Sequence, residues 1–184
     1  MEEVTFEHLD GPAAYRIRDL VGEIDQDARA EKIEAGEAFD QLDAFLDRFD
    51  AYVQRPGFDL VLARLDGQPV GQAWGWPLDA DTGWWRGLTD EPEPGFTQED
   101  GHRTFAFSEL MVRRSAAGQG LGHAIHDELL AHRPETRATL LVRPENTVAY
   151  QAYERWGWRK VAELRPAVPH APHMHVLILP LPTT

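Results

Sequence analysis

Apolar residues recur along this chain with two periods. Val4 to Leu9 is a short run rich in β-branched and aromatic residues, closed by Asp10-Gly11-Pro12, and predicts a first strand. Proline there suits a first helical turn. Ala13, Ile17, Leu20 and Ile24 then follow at helical spacing. Phe39, Leu42, Leu46, Phe49 and Val53 do the same until Arg55-Pro56-Gly57, so two helices with core-facing stripes are expected. Phe58 to Leu65 and Val70 to Trp76 read as strands flanking the turn Asp66-Gly67-Gln68-Pro69, a hairpin.

Residues 77–101 break the pattern. They are rich in Gly, Pro and acids, yet carry Trp84, Trp85 and Phe96. A stretch of that length is functional or disordered, and its aromatic residues favour packing or substrate contact. Beyond it the expected order is a strand from Thr104 to Val112, a helix from about Gly120 to His132 and a strand from Arg137 to Val142. A helix from about Thr147 to Trp156 and strands from Trp158 to Leu164 and His173 to Leu179 complete it. The sum is β-α-α-β-β-β-α-β-α-β-β, a mixed α/β fold whose sheet is covered by helices. At 184 residues with no internal repeat, one domain over residues 1–184 is expected.

Charge narrows the ligand classes. The formal net charge of −13 repels phosphate backbones and anionic lipid and favours cationic partners, so neither nucleic acid nor membrane is expected as a partner. The absence of cysteine excludes disulfides, thiolate metal sites and a Cys nucleophile. Met1-Glu2-Glu3 opens no basic-then-apolar leader, and no apolar run approaches bilayer length, so a cytoplasmic location is expected.

The most informative stretch is Arg113-Arg114-Ser115-Ala116-Ala117-Gly118-Gln119-Gly120-Leu121-Gly122-His123, where a strand turns through glycines into a helix. Such a helix start exposes N–H groups without intrahelical partners, and small residues let phosphate oxygens approach the main chain. A dinucleotide fold would need an acid at the end of the next strand, but that strand ends at Val142-Arg143. A P-loop would need Gly-Lys-Ser or Gly-Lys-Thr, and neither occurs.

Downstream, Asn146, Ala149, Tyr153, Gly157 and Trp158 follow the pattern Asn-x-x-Ala-x-x-x-Tyr-x-x-x-Gly-aromatic. With the glycine loop, this stretch resembles the GCN5-related N-acetyltransferase (GNAT) family, closely over about residues 104–164 and in element order before that. The resemblance implies a central mixed, mostly antiparallel sheet and acetyl transfer from acetyl-CoA, as cosubstrate, to an amine. It implies that the coenzyme pyrophosphate is held at Gly118, Gln119, Gly120, Leu121 and Gly122, with His123 expected near a coenzyme phosphate. Ala117 and Ser115 stand where the family often has Arg or Gln, so Arg113 and Arg114 are the expected source of positive charge. Leu110, Met111 and Val112 are expected to offer main-chain groups to the pantetheine and to the developing oxyanion, and Asn146 to bond the coenzyme, an ordered water or its own helix start.

The acceptor must lose a proton. An alkyl amine is nearly all ammonium at pH 7, and freeing its lone pair costs about 4–5 kcal/mol. Glu109, which shares a strand face with Phe105, Phe107 and Met111, is the expected catalytic base, acting through water. Pairing with an arginine or capping a strand end is its structural alternative. His102, His173 and His175 are reserves. Tyr153 is the expected proton donor to the departing thiolate. No metal is expected: His123 and His126 lack a third ligand at matching spacing and read as surface histidines.

The expected acceptor is therefore a small, cationic amine or a peptide amine, gripped by the first two helices, the Trp74 and Trp76 strand, the Trp-rich loop and the final hairpin. The alternative is a catalytically idle coenzyme-binding module of the same fold. A homodimer formed by self-association through the last strand is also expected.

Overall fold

Strand β1 (Val4–Leu9) gives way to helix α1 (Gly11–Arg16) at Asp10, whose carboxylate accepts from the Ala13 N–H at 3.0 Å. Pro12 fills the first turn, where a missing N–H costs nothing. The structure, a computed structural model, describes residues 3–182, so the opening Met1 and Glu2 lie outside it.

The first helical stripe is divided where a single helix was expected. Ile17 and Arg29 leave helical geometry, with φ/ψ of −105/21 and −112/19, and separate α1 from α2 (Arg18–Ala28) and α2 from α3 (Ala30–Glu34). The second stripe also starts later than its spacing predicts. Phe39 lies in a 3-10 turn (Ala38–Asp40), Gln41 is extended, and α4 runs Leu42–Tyr52. The Gln41 amide holds this break by donating to the carbonyls of Ile33 and Glu37.

The remaining elements follow the expected spans within a residue or two. They are β2 (Asp59–Leu65), β3 (Gln68–Pro77), β4 (Thr104–Val112), α5 (Leu121–Leu130), β5 (Arg137–Val142), α6 (Thr147–Arg155), β6 (Arg159–Leu164) and β7 (Met174–Pro180). The strand order is β1-β2-β3-β4-β5-β7-β6, a mixed and mostly antiparallel seven-stranded sheet. Its parallel step joins β4 to β5 and is short. The register runs from Thr104↔Arg137 to Ala106↔Thr139 and stops there, although β4 continues to Val112.

The chain forms two compact units. The first takes in the chain through Trp76 together with Ser108–Ala131. Its core joins Val21 and Ile24 of α2 to Phe45 and Phe49 of α4, Leu60 and Leu62 of β2 and Trp74 of β3, all at most 2% exposed. Phe45 and Phe49 pack on the Trp74 indole with ring centroids 5.7 and 5.3 Å away. Burying each such ring contributes on the order of 2–3 kcal/mol. On the other side Gly71 admits close packing, since a Cβ there would sit 2.7 Å from Ile125 Cδ1 of α5.

The second unit takes in Pro77–Phe107 and the chain from His132 onward. Within it, residues 77–101 are packed, which answers the choice between structure and disorder. Leu78, Trp85 and Phe96 are buried, and Trp85 meets Phe96 edge-on at 5.0 Å. Arg137 fastens the segment from below: it donates to Thr104 Oγ1 (2.8 Å), the Phe96 carbonyl (2.6 Å) and Glu99 Oε1 (3.1 Å), with its guanidinium 4.5 Å from the Phe96 ring. Thr89 N–H donates to the Glu163 carbonyl and ties the segment to β6. Among the described residues no helix is long and apolar enough to cross a membrane.

Candidate active site

Strand β4 leaves the sheet at Arg113, whose N–H donates to the Val70 carbonyl at 2.7 Å, and enters a 3-10 turn (Arg114–Ala116). Gly118 and Gly120 then take φ of +76° and +80°, the left-handed region that L side chains avoid, and α5 begins. No side chain caps this start. Ala124 makes the first intrahelical bond, to Gly120, and the N–H groups of Gly118, Gln119, Gly120, Leu121 and Gly122 have no carbonyl partner among the described residues. A Cβ built on Gly118 or Gly120 would meet nothing within 4 Å, so the space over the donors is open. This is the geometry that holds an anion.

Arg113 and Arg114, the expected charge donors, also serve the protein. The Arg114 N–H bonds Asp27 at 2.8 Å and its guanidinium lies 3.8 Å from that carboxylate. Arg113 donates to the Pro69 carbonyl and lies 3.9 Å from Glu23. Arg114 remains 62% exposed at the side chain, with donors to spare.

Backbone groups alternate along a strand. Because Arg113 N–H faces β3, those of Leu110 and Val112 face the opposite edge of β4, and β4 pairs with β5 only as far as Ala106. Met111 points inward, its sulfur accepting from the Gln72 amide at 3.2 Å. The resemblance had grouped Leu110, Met111 and Val112 together. The alternation assigns free-edge donors to Leu110 and Val112.

Glu109 meets an arginine. Arg29, at the junction of α2 and α3, donates through Nη2 to Glu109 Oε2, and its Nε lies 3.3 Å from Asp25 Oδ1 one helical turn back. The Glu109 side chain retains 17% exposure, whereas Asp25 is fully buried. Burial pushes the Asp25 carboxyl up to about 6. Glu109 and Asp40 add to that, while Arg29 and Arg48 act against it. Burial works to lower the Arg29 guanidinium, but Glu109 and Asp25 outweigh it and hold it charged. Burial likewise lowers Arg48 and raises the Tyr52 phenol.

Three carboxylates (Asp25, Asp40, Glu109) thus face two guanidiniums (Arg29, Arg48), which leaves one negative charge. The cluster also keeps polar atoms without hydrogen bonds: both Asp25 oxygens, for which Arg29 lies at ion-pair distance without hydrogen-bond alignment, plus Arg48 Nη2, Gln72 Oε1 and Trp74 Nε1. Beside them Tyr52 stacks on Trp76 with centroids 4.5 Å apart. Sequence reasoning missed Asp25, Arg29 and Arg48. The i, i+4 spacing of Asp25 and Arg29 was the available signal.

In the second unit, Tyr153 lies on α6 with its ring edge-on to Phe107 (6.5 Å), Trp156 (5.6 Å) and Trp158 (6.1 Å). Asn146 begins α6 without a side-chain capping bond, which removes the structural alternative for its amide. Gly157, at φ +96°, closes the helix as only glycine does readily, and turns Trp158 into the core at 2% exposure.

The histidines divide. His102 is exposed, and His123, on the first turn of α5, lies 3.4 Å from Asp127. His126, expected at the surface, is instead buried at 3%, because α5 turns that face toward the core. Asp127 brings beside His123 and His126 the third potential donor that the spacing was expected to lack, the three ligand atoms lying within 4.8 Å of one another. His126 Nδ1 lies 2.8 Å from Asp127, and burial lowers the pKa of that imidazole. His173 and His175 converge on Glu163 of β6.

A family model described as the acetyltransferase (GNAT) family matches residues 23–158. No curated protein matches the chain. Among solved structures it is similar to an acetyltransferase from Thermus thermophilus (15% identity, 98% of this chain and 100% of that one, TM-score 0.63). It is similar to the ribosomal-protein-S18-alanine N-acetyltransferase from Escherichia coli (16%, 99% and 96%, 0.64). It is also similar to the PaiA N-acetyltransferase from Thermoplasma acidophilum in complex with coenzyme A (9%, 97% and 99%, 0.59). At these identities the likeness is one of fold.

Proposed function

The chain belongs to the GNAT acetyltransferase family, and we propose that it transfers an acetyl group from acetyl-CoA to the primary amine of a small cationic molecule or a peptide. One observation carries this reading. Strand β4 carries Glu109, held beside Arg29, and the chain continues from it through a 3-10 turn to a helix start whose N–H groups from Gly118 to Gly122 have no carbonyl partner among the described residues. A base and an anion cradle thus lie on one continuous segment.

In this reading the Gly118–Gly122 donors and the exposed Arg114 hold the pyrophosphate. Leu110 and Val112 offer edge N–H groups to the pantetheine and to the carbonyl oxygen as it gains charge, and Asn146 offers a free amide. The negative carboxylate–guanidinium cluster draws in an ammonium. Glu109, the partly exposed acid, takes its proton directly or through water. Arg29 is shared by two carboxylates, and its hold on Glu109 depends on whether Asp25 is charged. Asp25 therefore acts as a positioning residue behind the base. Tyr153 is the candidate donor of a proton to the departing thiolate.

Calorimetric titration with acetyl-CoA tests the coenzyme site. Saturable binding that a folded Gly120→Val variant loses supports it, and undiminished binding by that variant rejects it. Binding with no amine-dependent thiol release from any acceptor would leave a coenzyme-binding module without catalysis.

A further inference from the structure

We propose that Glu163, His173 and His175 form a binding site for a divalent metal ion of the zinc class. The site arises from strand pairing. Glu163 on β6 stands directly opposite His175 on β7, and His173, two residues before His175, shares its face. One ligand atom from each residue lies within 4.8 Å of the other two. His173 Nε2 is 3.0 Å from Glu163 Oε2, and His175 Nε2 is 3.5 Å from Glu163 Oε1. Two metal–ligand bonds of about 2.0–2.1 Å at a tetrahedral angle place their donor atoms roughly 3.4 Å apart. An ion therefore fits between these side chains with little movement.

The surroundings favour ligation. The Tyr150 hydroxyl lies 3.0 Å from His175 Nδ1, which fixes the ring with Nε2 toward Glu163 in the manner of an outer-shell partner. The backbone of Glu163 is held in turn, its carbonyl accepting from the N–H and hydroxyl of Thr89. Two imidazoles and a carboxylate are the borderline nitrogen and oxygen donors that suit Zn²⁺, and three protein ligands leave a fourth position open. That position is reachable, because the His173 and Glu163 side chains are 44% and 42% exposed. Lys160 pairs with the same Glu163 carboxylate and competes with a cation there. A bound ion would link β6 to β7 across residues 165–172.

The test uses the full chain, stripped with chelator and titrated with Zn²⁺ against a chromophoric chelator, with Co²⁺ absorption as a check on coordination. One equivalent should bind. His173→Ala and His175→Ala should each weaken binding by about 100-fold or more, and Tyr150→Phe by about 10-fold. Lys160→Ala should tighten it, a change that a merely structural effect would not produce. Circular dichroism confirms that each variant is folded, and His123→Ala should bind as the wild type does. The proposal is overturned if the wild type takes up no Zn²⁺, if His173→Ala and His175→Ala bind undiminished, or if binding is lost with His123 instead.

Discussion

Replacing Asp25 with asparagine tests the electrostatics of the buried cluster. A carboxyl raised from 3.8 to about 6 on folding binds its proton more tightly in the native state. The stability it confers is therefore complete below the unfolded value and is lost as pH rises through about 6. Above pH 7 the ionised Asp25 costs roughly 3 kcal/mol, from about two pH units at 1.36 kcal/mol each. At pH 4.5 the same linkage leaves a cost of only about 1 kcal/mol. Asparagine has nearly the shape of the neutral acid. Asp25→Asn should thus stabilise the protein at pH 7.5 by up to about 3 kcal/mol, a rise in Tm of roughly 2–4 °C per kcal/mol for a chain of this size. The gain should shrink to about a third of that at pH 4.5. Urea and thermal denaturation of both proteins at the two pH values measure the difference. A variant that is destabilised at pH 7.5, or whose gain is the same at both, would refute the reasoning.

Other outcomes follow from the same geometry. Glu109→Gln should lower kcat about 100-fold or more with acetyl-CoA affinity unchanged, and an unaltered kcat and pH–rate profile would remove Glu109 as the base. Tyr153→Phe should reduce turnover while calorimetry shows wild-type coenzyme binding, whereas equal loss of both would mark a packing role. Gly120→Ala, at φ +80°, should cost about 1–2 kcal/mol in denaturant titrations and weaken acetyl-CoA binding; unchanged stability would mean that the turn relaxes. Arg137→Met leaves Glu99 charged at 0% exposure and should cost about 3–5 kcal/mol, so a loss below about 1 kcal/mol in urea titration would show that the pair is dispensable.

The strands were legible because each short apolar run is bounded by turn residues. β1, β4 and β5 have the bounds that the sequence predicts. The division of the first helix was not, since Ile17 and Arg29 both suit a helical stripe and only their dihedrals betray the breaks. The glycine loop announced itself through its spacing, and the structure adds the two positive φ values and the open donors. The carboxylate–guanidinium cluster joins residues 80 positions apart, Arg29 and Glu109, which no local pattern links. Glu163 and His175 meet only because the β6–β7 register shifts between Lys160 and Ala162. The aromatic residues of 77–101 could be read as packed, but their buried partner Arg137 could not.

The most direct test is thiol release from acetyl-CoA across a panel of cationic, neutral and anionic primary amines, with wild type and Glu109→Gln side by side. The account predicts amine-dependent release that is fastest with cationic acceptors and strongly reduced in the variant. Release independent of amine, preference for anionic acceptors, or equal rates in the two proteins would contradict it.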